Sequence, residues 1–144
     1  MDYRIRPLDI SDYGNIVRLW QICGLPYKPS GRDSYKAMKK EFRRDETCFF
    51  GLFDDDKLIG TVIGSSDGRK GWINRLVIDP DYRGKKLAHR LIKECEDHFY
   101  NLDISVIACL IEDINTPSLS TFKNAGYIIS GDILYCSKRS SQEK

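Results

Sequence analysis

The sequence predicts an α/β domain built on a mixed, mostly antiparallel sheet of six to seven strands with helices on both faces. Three observations carry that prediction. Strand-like segments at residues 48–53, 58–64 and 72–78 follow one another with only short turns between them, as in an antiparallel meander. The apolar period then changes, because Leu87, Leu91, Ile92, Cys95 and Phe99 recur at helical spacing. The next segment, 104–111, is a nearly continuous apolar run, which suits a buried strand.

Each element has its own local signal. Tyr3, Arg4, Ile5 and Arg6 alternate and read as a strand closed by Pro7. Ser11 and Asp12 offer N-cap oxygens to a helix carrying Ile16, Val17, Leu19, Trp20 and Cys23, and Gly24 stops it. Pro26 and Pro29 keep the chain irregular to about Asp33, where Asp33 or Ser34 caps a second helix through about Arg43. After the meander and the Leu87–Phe99 stripe, Thr116 is a candidate N-cap, Pro117 suits a first helical turn, and Gly126 is placed to end that helix. Residues 127–129 and 133–136 read as a final hairpin. The order is therefore β-α-α-β-β-β-α-β-α-β-β. The crossover from 72–78 through the helix to 104–111 is expected to be right-handed, with parallel strands.

A chain of 144 residues fits one domain, here 1–137, followed by a polar tail over 138–144. No stretch approaches the ~18–20 apolar residues of a membrane span, and the N-terminus lacks the apolar core of a signal peptide. Five cysteines without a CxxC pair point to a reducing cytoplasm and away from a disulfide or metal scaffold. The net charge is only +2, but residues 69–93 hold eight basic residues against two acids, a local +6 that leaves −4 for the rest. That concentration suits a small polyanion.

Within it lies Ile78-Asp79-Pro80-Asp81-Tyr82-Arg83-Gly84-Lys85-Lys86-Leu87-Ala88. A strand ends, a basic glycine-containing loop follows, and a helix begins. Free N–H groups and the positive dipole end at a helix start form an anion site, and a pyrophosphate is its natural guest. The spacing is neither GxxxxGK[ST] nor GxGxxG.

These residues resemble the Gcn5-related N-acetyltransferase (GNAT) superfamily, whose signature is Arg/Gln-x-x-Gly-x-Gly/Ala; here it reads Arg83-Gly84-Lys85-Lys86-Leu87-Ala88. A second family signature appears as Asn115, then Phe122, then Gly126-Tyr127, and the element order matches over nearly the whole chain. The resemblance implies an acetyl-coenzyme A-dependent N-acetyltransferase. Leu76, Val77 and Ile78 would pair with the pantetheine arm like an added strand. Amides of Gly84, Lys85, Lys86, Leu87, Ala88 and His89 would hold the pyrophosphate, with Arg83 adding charge. Asn115 and Phe122 would face the pantetheine end and Lys123 the 3′-phosphate. The Ile78 N–H would polarise the thioester carbonyl.

The chain departs from the pattern twice. Lys86 replaces the inner glycine; a helical, negative φ there would permit a side chain. Phe122 stands where many relatives carry the tyrosine that protonates departing coenzyme A, and phenylalanine has no proton to give. A thiol with a pKa near ~8.5 leaves as thiolate without help. Tyr127 and Tyr135 are substitutes that read better as core aromatics.

The strand before the loop carries no acid, so Glu112 is the first candidate for the base that deprotonates an acceptor amine, and Asp113 the second. The irregular stretch supplies candidate acceptor contacts in Tyr27, Lys28, Arg32 and Asp33: Arg32 for a carboxylate, Asp33 for an ammonium. Trp72 is a further candidate from the strand. His89 is placed near the phosphates and His98 at the surface, while Cys95 and Cys109 read as core.

The expected acceptor is a small-molecule, peptide or protein amine. The resemblance also allows a homodimer through the terminal hairpin. A non-catalytic acyl-coenzyme A-binding module is the alternative that Phe122 motivates. A small nucleic-acid-binding domain using the +6 segment is another, but aromatics do not interleave with those charges as single-strand readers require.

Overall fold

Strand β1 (Tyr3–Pro7) pairs antiparallel with β2 (Cys48–Asp54), which pairs with β3 (Lys57–Ser66), which pairs with β4 (Gly71–Ile78). A fifth strand, β5 (Ile107–Ala108), runs parallel to β4, so the five strands lie in the order of the chain. The computed structural model describes residues 2–141. Among them no helix is long and apolar enough to cross a membrane.

Helices α1 (Tyr13–Ile22) and α2 (Tyr35–Glu41) cover one face of the sheet; α3 (Leu87–Asn101) and α4 (Thr116–Asn124) contribute to the other. Two cores follow from the two-residue period of the strands. Leu52, Ile59 and Val62 meet Leu91, Cys95 and Phe99, while their neighbours Phe53, Leu58 and Ile63 meet Ile16, Leu19 and Trp20. That double burial explains why β2 and β3 read as apolar on nearly every residue.

Local signals set most ends. Ser34 caps α2 through a bond from the Ala37 N–H at 3.1 Å. Asp12 stands at the N-cap position of α1 as expected but its side chain caps no N–H of that helix, and the cap of α4 lies one residue earlier than expected. Asp9 closes a short 3₁₀ turn ahead of α1 in a reciprocal capping box with Asp12, and Arg6 grips the Asp12 carboxylate with two bonds of 3.0 Å. Asn115 rather than Thr116 caps α4, its Oδ1 accepting from the Ser118 N–H at 3.3 Å.

Two expectations on strands are corrected. The run 104–111 pairs with β4 at only two residues, because β4 and β5 part company beyond Trp72 and Ala108. The hairpin expected over 127–136 does not form within the chain, so among the described residues the sheet has five strands rather than six or seven. Tyr127 is fastened to the body, with its hydroxyl donating to Glu96 at 2.7 Å. The final three residues of the expected polar tail lie outside the described residues.

Candidate active site

Parallel β4 and β5 diverge after the pairs Gly71↔Ile107 and Trp72↔Ala108, so the edge of β4 from Ile73 to Ile78 faces an open cleft. Backbone groups along an unpaired edge are a ready template for an extended ligand. Asp79 N–H donates to Ile59 O on the β3 side at 2.7 Å. Strand alternation therefore turns the N–H of its neighbour Ile78 away from β3, toward the cleft.

A β-bulge shapes this edge. Thr61 opposes Val77 and Ile63 opposes Asn74, so β4 carries one extra residue at Arg75-Leu76. Arg75 sits there with φ +54, a left-handed conformation that is costly for a side-chain-bearing residue. Several contacts hold it. The Thr61 hydroxyl donates to Arg75 O at 3.3 Å and accepts from the Trp20 indole N–H at 3.0 Å. The guanidinium lies 4.8 Å from the Trp20 ring and donates to Pro26 O and, at 3.1 Å, to Asp33. Burial pulls the Arg75 pKa down, and the Asp33 carboxylate works against that pull.

Asp33 thus has a different role from the one its sequence position suggested. It is buried, and its carboxylate is taken up by Arg75 and by the Lys28 N–H at 2.8 Å. An acceptor ammonium would have to displace both. Asp33 instead ties the irregular 24–34 loop to the bulge. Tyr27 is half-buried and shares a hydroxyl contact with Tyr13 at 3.1 Å, while Arg32 is exposed with its Nε 3.9 Å from Asp33. Trp72 is half-buried where the β4–β5 ladder ends.

The loop from β4 to α3 is folded on itself. Asp79 is buried and caps the turn at Pro80–Tyr82, accepting from the Asp81 N–H at 2.9 Å. Arg83 Nε donates back to Ile78 O at 3.1 Å, closing the loop. Lys85 and Arg90 lean toward β1, reaching Tyr3 OH at 3.4 Å and Tyr3 O at 3.2 Å. Gly84 has φ +81, which glycine tolerates.

Lys86 corrects an expectation. It is the N-cap residue of α3 with φ +59, not a residue with helical φ. The family's glycine at this position answers a backbone need, which lysine meets at a cost of roughly 1–2 kcal/mol. Lys86→Gly is therefore expected to raise the melting temperature by a few degrees while weakening anion affinity at most a few-fold. A drop in stability, read by calorimetry, would remove the strain assignment.

The α3 start fits an anion. No side chain caps it, its first turn has no acid, and Nδ1 of half-buried His89 is enclosed without a hydrogen-bond partner. A pyrophosphate on Gly84–His89 amides would satisfy these groups.

Other candidates are dispersed. Glu112 and Asp113 are exposed beyond β5, and the Glu112 carbonyl accepts from the Asn115 N–H. Asn115 spends its Oδ1 on capping α4. Phe122 is buried in the core against Tyr127, and Lys123 is exposed in the last turn of α4. Tyr127 is committed to Glu96, and burial pushes its pKa up, so it is a poor acid for the cleft. Tyr135 is exposed. His98, expected at the surface, is half-buried between Phe50 and Phe99. Sequence reasoning passed over Glu41, a half-buried acid at the end of α2 whose pKa is raised by burial and by nearby Asp33. Nothing in its helical pattern marks it.

The family model described as the acetyltransferase (GNAT) family matches residues 15–127. The chain belongs to that family. A curated relative, acetyltransferase SG1711 of Sodalis glossinidius (strain morsitans), is 24% identical over 135 residues, 94% of each chain. Among solved structures, AAC(6′)-Iy in complex with the bisubstrate analogue CoA-S-monomethyl-acetylneamine superposes with a TM-score of 0.80 at 18% identity, over 96% of this chain and 99% of that one. The PaiA N-acetyltransferase of Thermoplasma acidophilum, in complex with coenzyme A, gives 0.81 at 21% identity, over 90% and 92%. At such identities these structures establish the fold alone. This GNAT protein is thus an acyltransferase on a mixed five-stranded sheet.

Proposed function

We propose that the chain transfers an acetyl group from acetyl-coenzyme A to a primary amine by direct attack in a ternary complex. The observation that carries this is the juxtaposition of an unpaired β4 edge with an uncapped α3 start. The coenzyme supplies the acetyl thioester. Leu76, Val77 and Ile78 bind its pantetheine arm, and amides of Gly84, Lys85, Lys86, Leu87, Ala88 and His89 hold its pyrophosphate. Arg83 keeps the loop closed, and Lys123 meets the 3′-phosphate. The Ile78 N–H stabilises the developing oxyanion, a term worth about 3–4 kcal/mol in comparable sites. Asn115 and Phe122 border the pantetheine end.

The acceptor is a small-molecule amine, the kind of ligand present in the AAC(6′)-Iy complex. It enters beside Tyr27, Arg32 and Trp72, over the loop that Asp33 fixes. Glu112 is the proposed base and Glu41 its rival, because burial raises the Glu41 pKa toward the range a base needs. No proton donor stands at Phe122, so coenzyme A leaves as thiolate.

The first test is a thermal melt with acetyl-coenzyme A and with ATP as phosphate control. At ~100 times the dissociation constant, ligand stabilises by about 2.7 kcal/mol, several degrees here. A shift with the coenzyme alone supports the reading, and no shift overturns it. Binding without transfer across an amine panel would favour the non-catalytic module that Phe122 also suits. Glu112→Gln is expected to lower the rate about a hundredfold or more below the pKa of the amine. An unchanged pH–rate profile would pass the role to Glu41.

A further inference from the structure

Cys48 on β2 and Cys95 on α3 stand 47 positions apart in the sequence, yet their sulfurs meet at 4.0 Å inside the core. Both are free thiols and both are buried. Core cysteines ordinarily fill space as small apolar groups. This pair differs because it is brought face to face across the contact between sheet and helix. Gly64, which pairs with Cys48 from β3, makes the room: a Cβ there would lie 2.7 Å from the Cys48 sulfur and 2.9 Å from the Phe99 ring. The Cys48 side chain therefore lies over a glycine, with its sulfur turned toward Cys95.

Burial keeps most thiols inert, and two features oppose that here. Cys48 forms part of the wall of a surface pocket of about 260 Å³, together with Leu8, Phe42, Thr47, Phe50 and His98. A molecule as small as hydrogen peroxide fits such a space. His98 adds a polar group to the same wall, with its Nε2 enclosed and without a hydrogen-bond partner. The two thiols are also unequal. The Cys95 thiol, donating to Cys48, holds the Cys48 pKa below the ordinary thiol value against the upward pull of burial. The same contact, with burial, pushes the Cys95 pKa up. One sulfur is thus suited to attack, and the other keeps its proton until it resolves the product.

We infer that Cys48 and Cys95 are a redox modification site, forming a reversible disulfide with a hydroperoxide as oxidant. The Cys48 thiolate attacks one peroxide oxygen and the O–O bond breaks. Cys48 becomes a sulfenic acid, and the departing hydroxide takes up the proton that Cys48 lost. The Cys95 sulfur then attacks the Cys48 sulfur, the S–O bond breaks, and the hydroxyl leaves as water with the Cys95 proton. Two electrons pass from the sulfurs to the peroxide, and two waters are released. The sulfurs must close by about 2 Å to reach bonding distance, which side-chain rotation and a small slide of α3 supply. Cys95 lies about two turns from the start of α3, so the bond pins to β2 the helix that opens at the anion loop. In a reducing compartment such a bond is transient, formed under oxidant and removed by thiols. The inference rests on the two sulfurs and their pocket and not on the chemistry proposed for the cleft.

Treating the full chain with hydrogen peroxide, alkylating the remaining thiols in denaturant and mapping the peptides tests it. The expected product is a cross-linked pair of peptides carrying Cys48 and Cys95, lighter than the two reduced peptides by two hydrogens and restored by dithiothreitol. The melting temperature should rise by several degrees on oxidation, because the bond closes a long loop in the unfolded chain, and fall back on reduction. Cys136→Ser, at an exposed position, should keep both effects. Cys48→Ala, checked for folding by circular dichroism, should lose both. Alkylated Cys48 and Cys95 after peroxide treatment of the parent chain would overturn the inference. So would a Cys48 oxidised to sulfinic acid beside a free Cys95, or a bond between the two that forms only once the chain is unfolded in urea.

Discussion

Asp33→Ala is expected to lower stability by about 3–5 kcal/mol and the melting temperature by roughly 10 °C or more. The reason is the guanidinium left behind. Arg75 and Asp33 meet at 3.1 Å with side-chain exposures of 14% and 7%, so removing the carboxylate leaves a mostly buried guanidinium without its counter-charge, with Pro26 O as a remaining acceptor. The Lys28 N–H loses its acceptor as well. Activity should fall further than stability, because the same contact fixes the left-handed Arg75 and hence the β4 bulge beside the cleft. Adding Arg75→Met to Asp33→Ala should restore much of the stability but not the activity. Thermal melts of the four proteins in that cycle check this. Additive losses would mean that the pair is not coupled.

Gly71→Ala is expected to cost several kcal/mol, a large effect for one methyl group. A Cβ at Gly71 would lie 2.5 Å from the Phe99 ring, far inside contact distance. Phe99 is fully buried between the sheet and α3 and has nowhere to retreat. Gly71 also opens the β4–β5 ladder, pairing with Ile107 and donating to Val106 O at 2.9 Å. Forcing the ring aside therefore moves the point from which the two strands diverge, and coenzyme affinity should fall with stability. Phe99→Leu in the same chain makes room, and the double variant should be more stable than Gly71→Ala alone. Equal melting temperatures for Gly71→Ala and the parent would show that the ring yields cheaply.

Much of the fold was legible in the residues. The meander, the Leu87–Phe99 stripe and the order of the first nine elements follow from period and turn chemistry, which are local. Lys86 shows where local reasoning stops. Its position looked helical, yet it caps α3 in a left-handed conformation, because a chain entering a helix from a tight loop turns before the first helical residue. Asp33 shows a second limit. A carboxylate in a polar loop reads as available for ligand, and only the packing of α1, β3 and β4 reveals Arg75 opposite it. Glu41 shows a third, since its burial comes from neighbours remote in sequence.

The sequence by itself determined the class of the domain and the family it belongs to. Those depend on alternation, glycine placement and charge within a few residues of one another. Only the tertiary structure decided that β4 and β5 diverge after two pairs, that Asp33 braces the bulge, and that residues 128–136 leave the body with their apolar side chains uncovered. Each of those is a relation between segments far apart in the chain. Twist, burial and the availability of a sheet edge set such relations, and no local pattern encodes them.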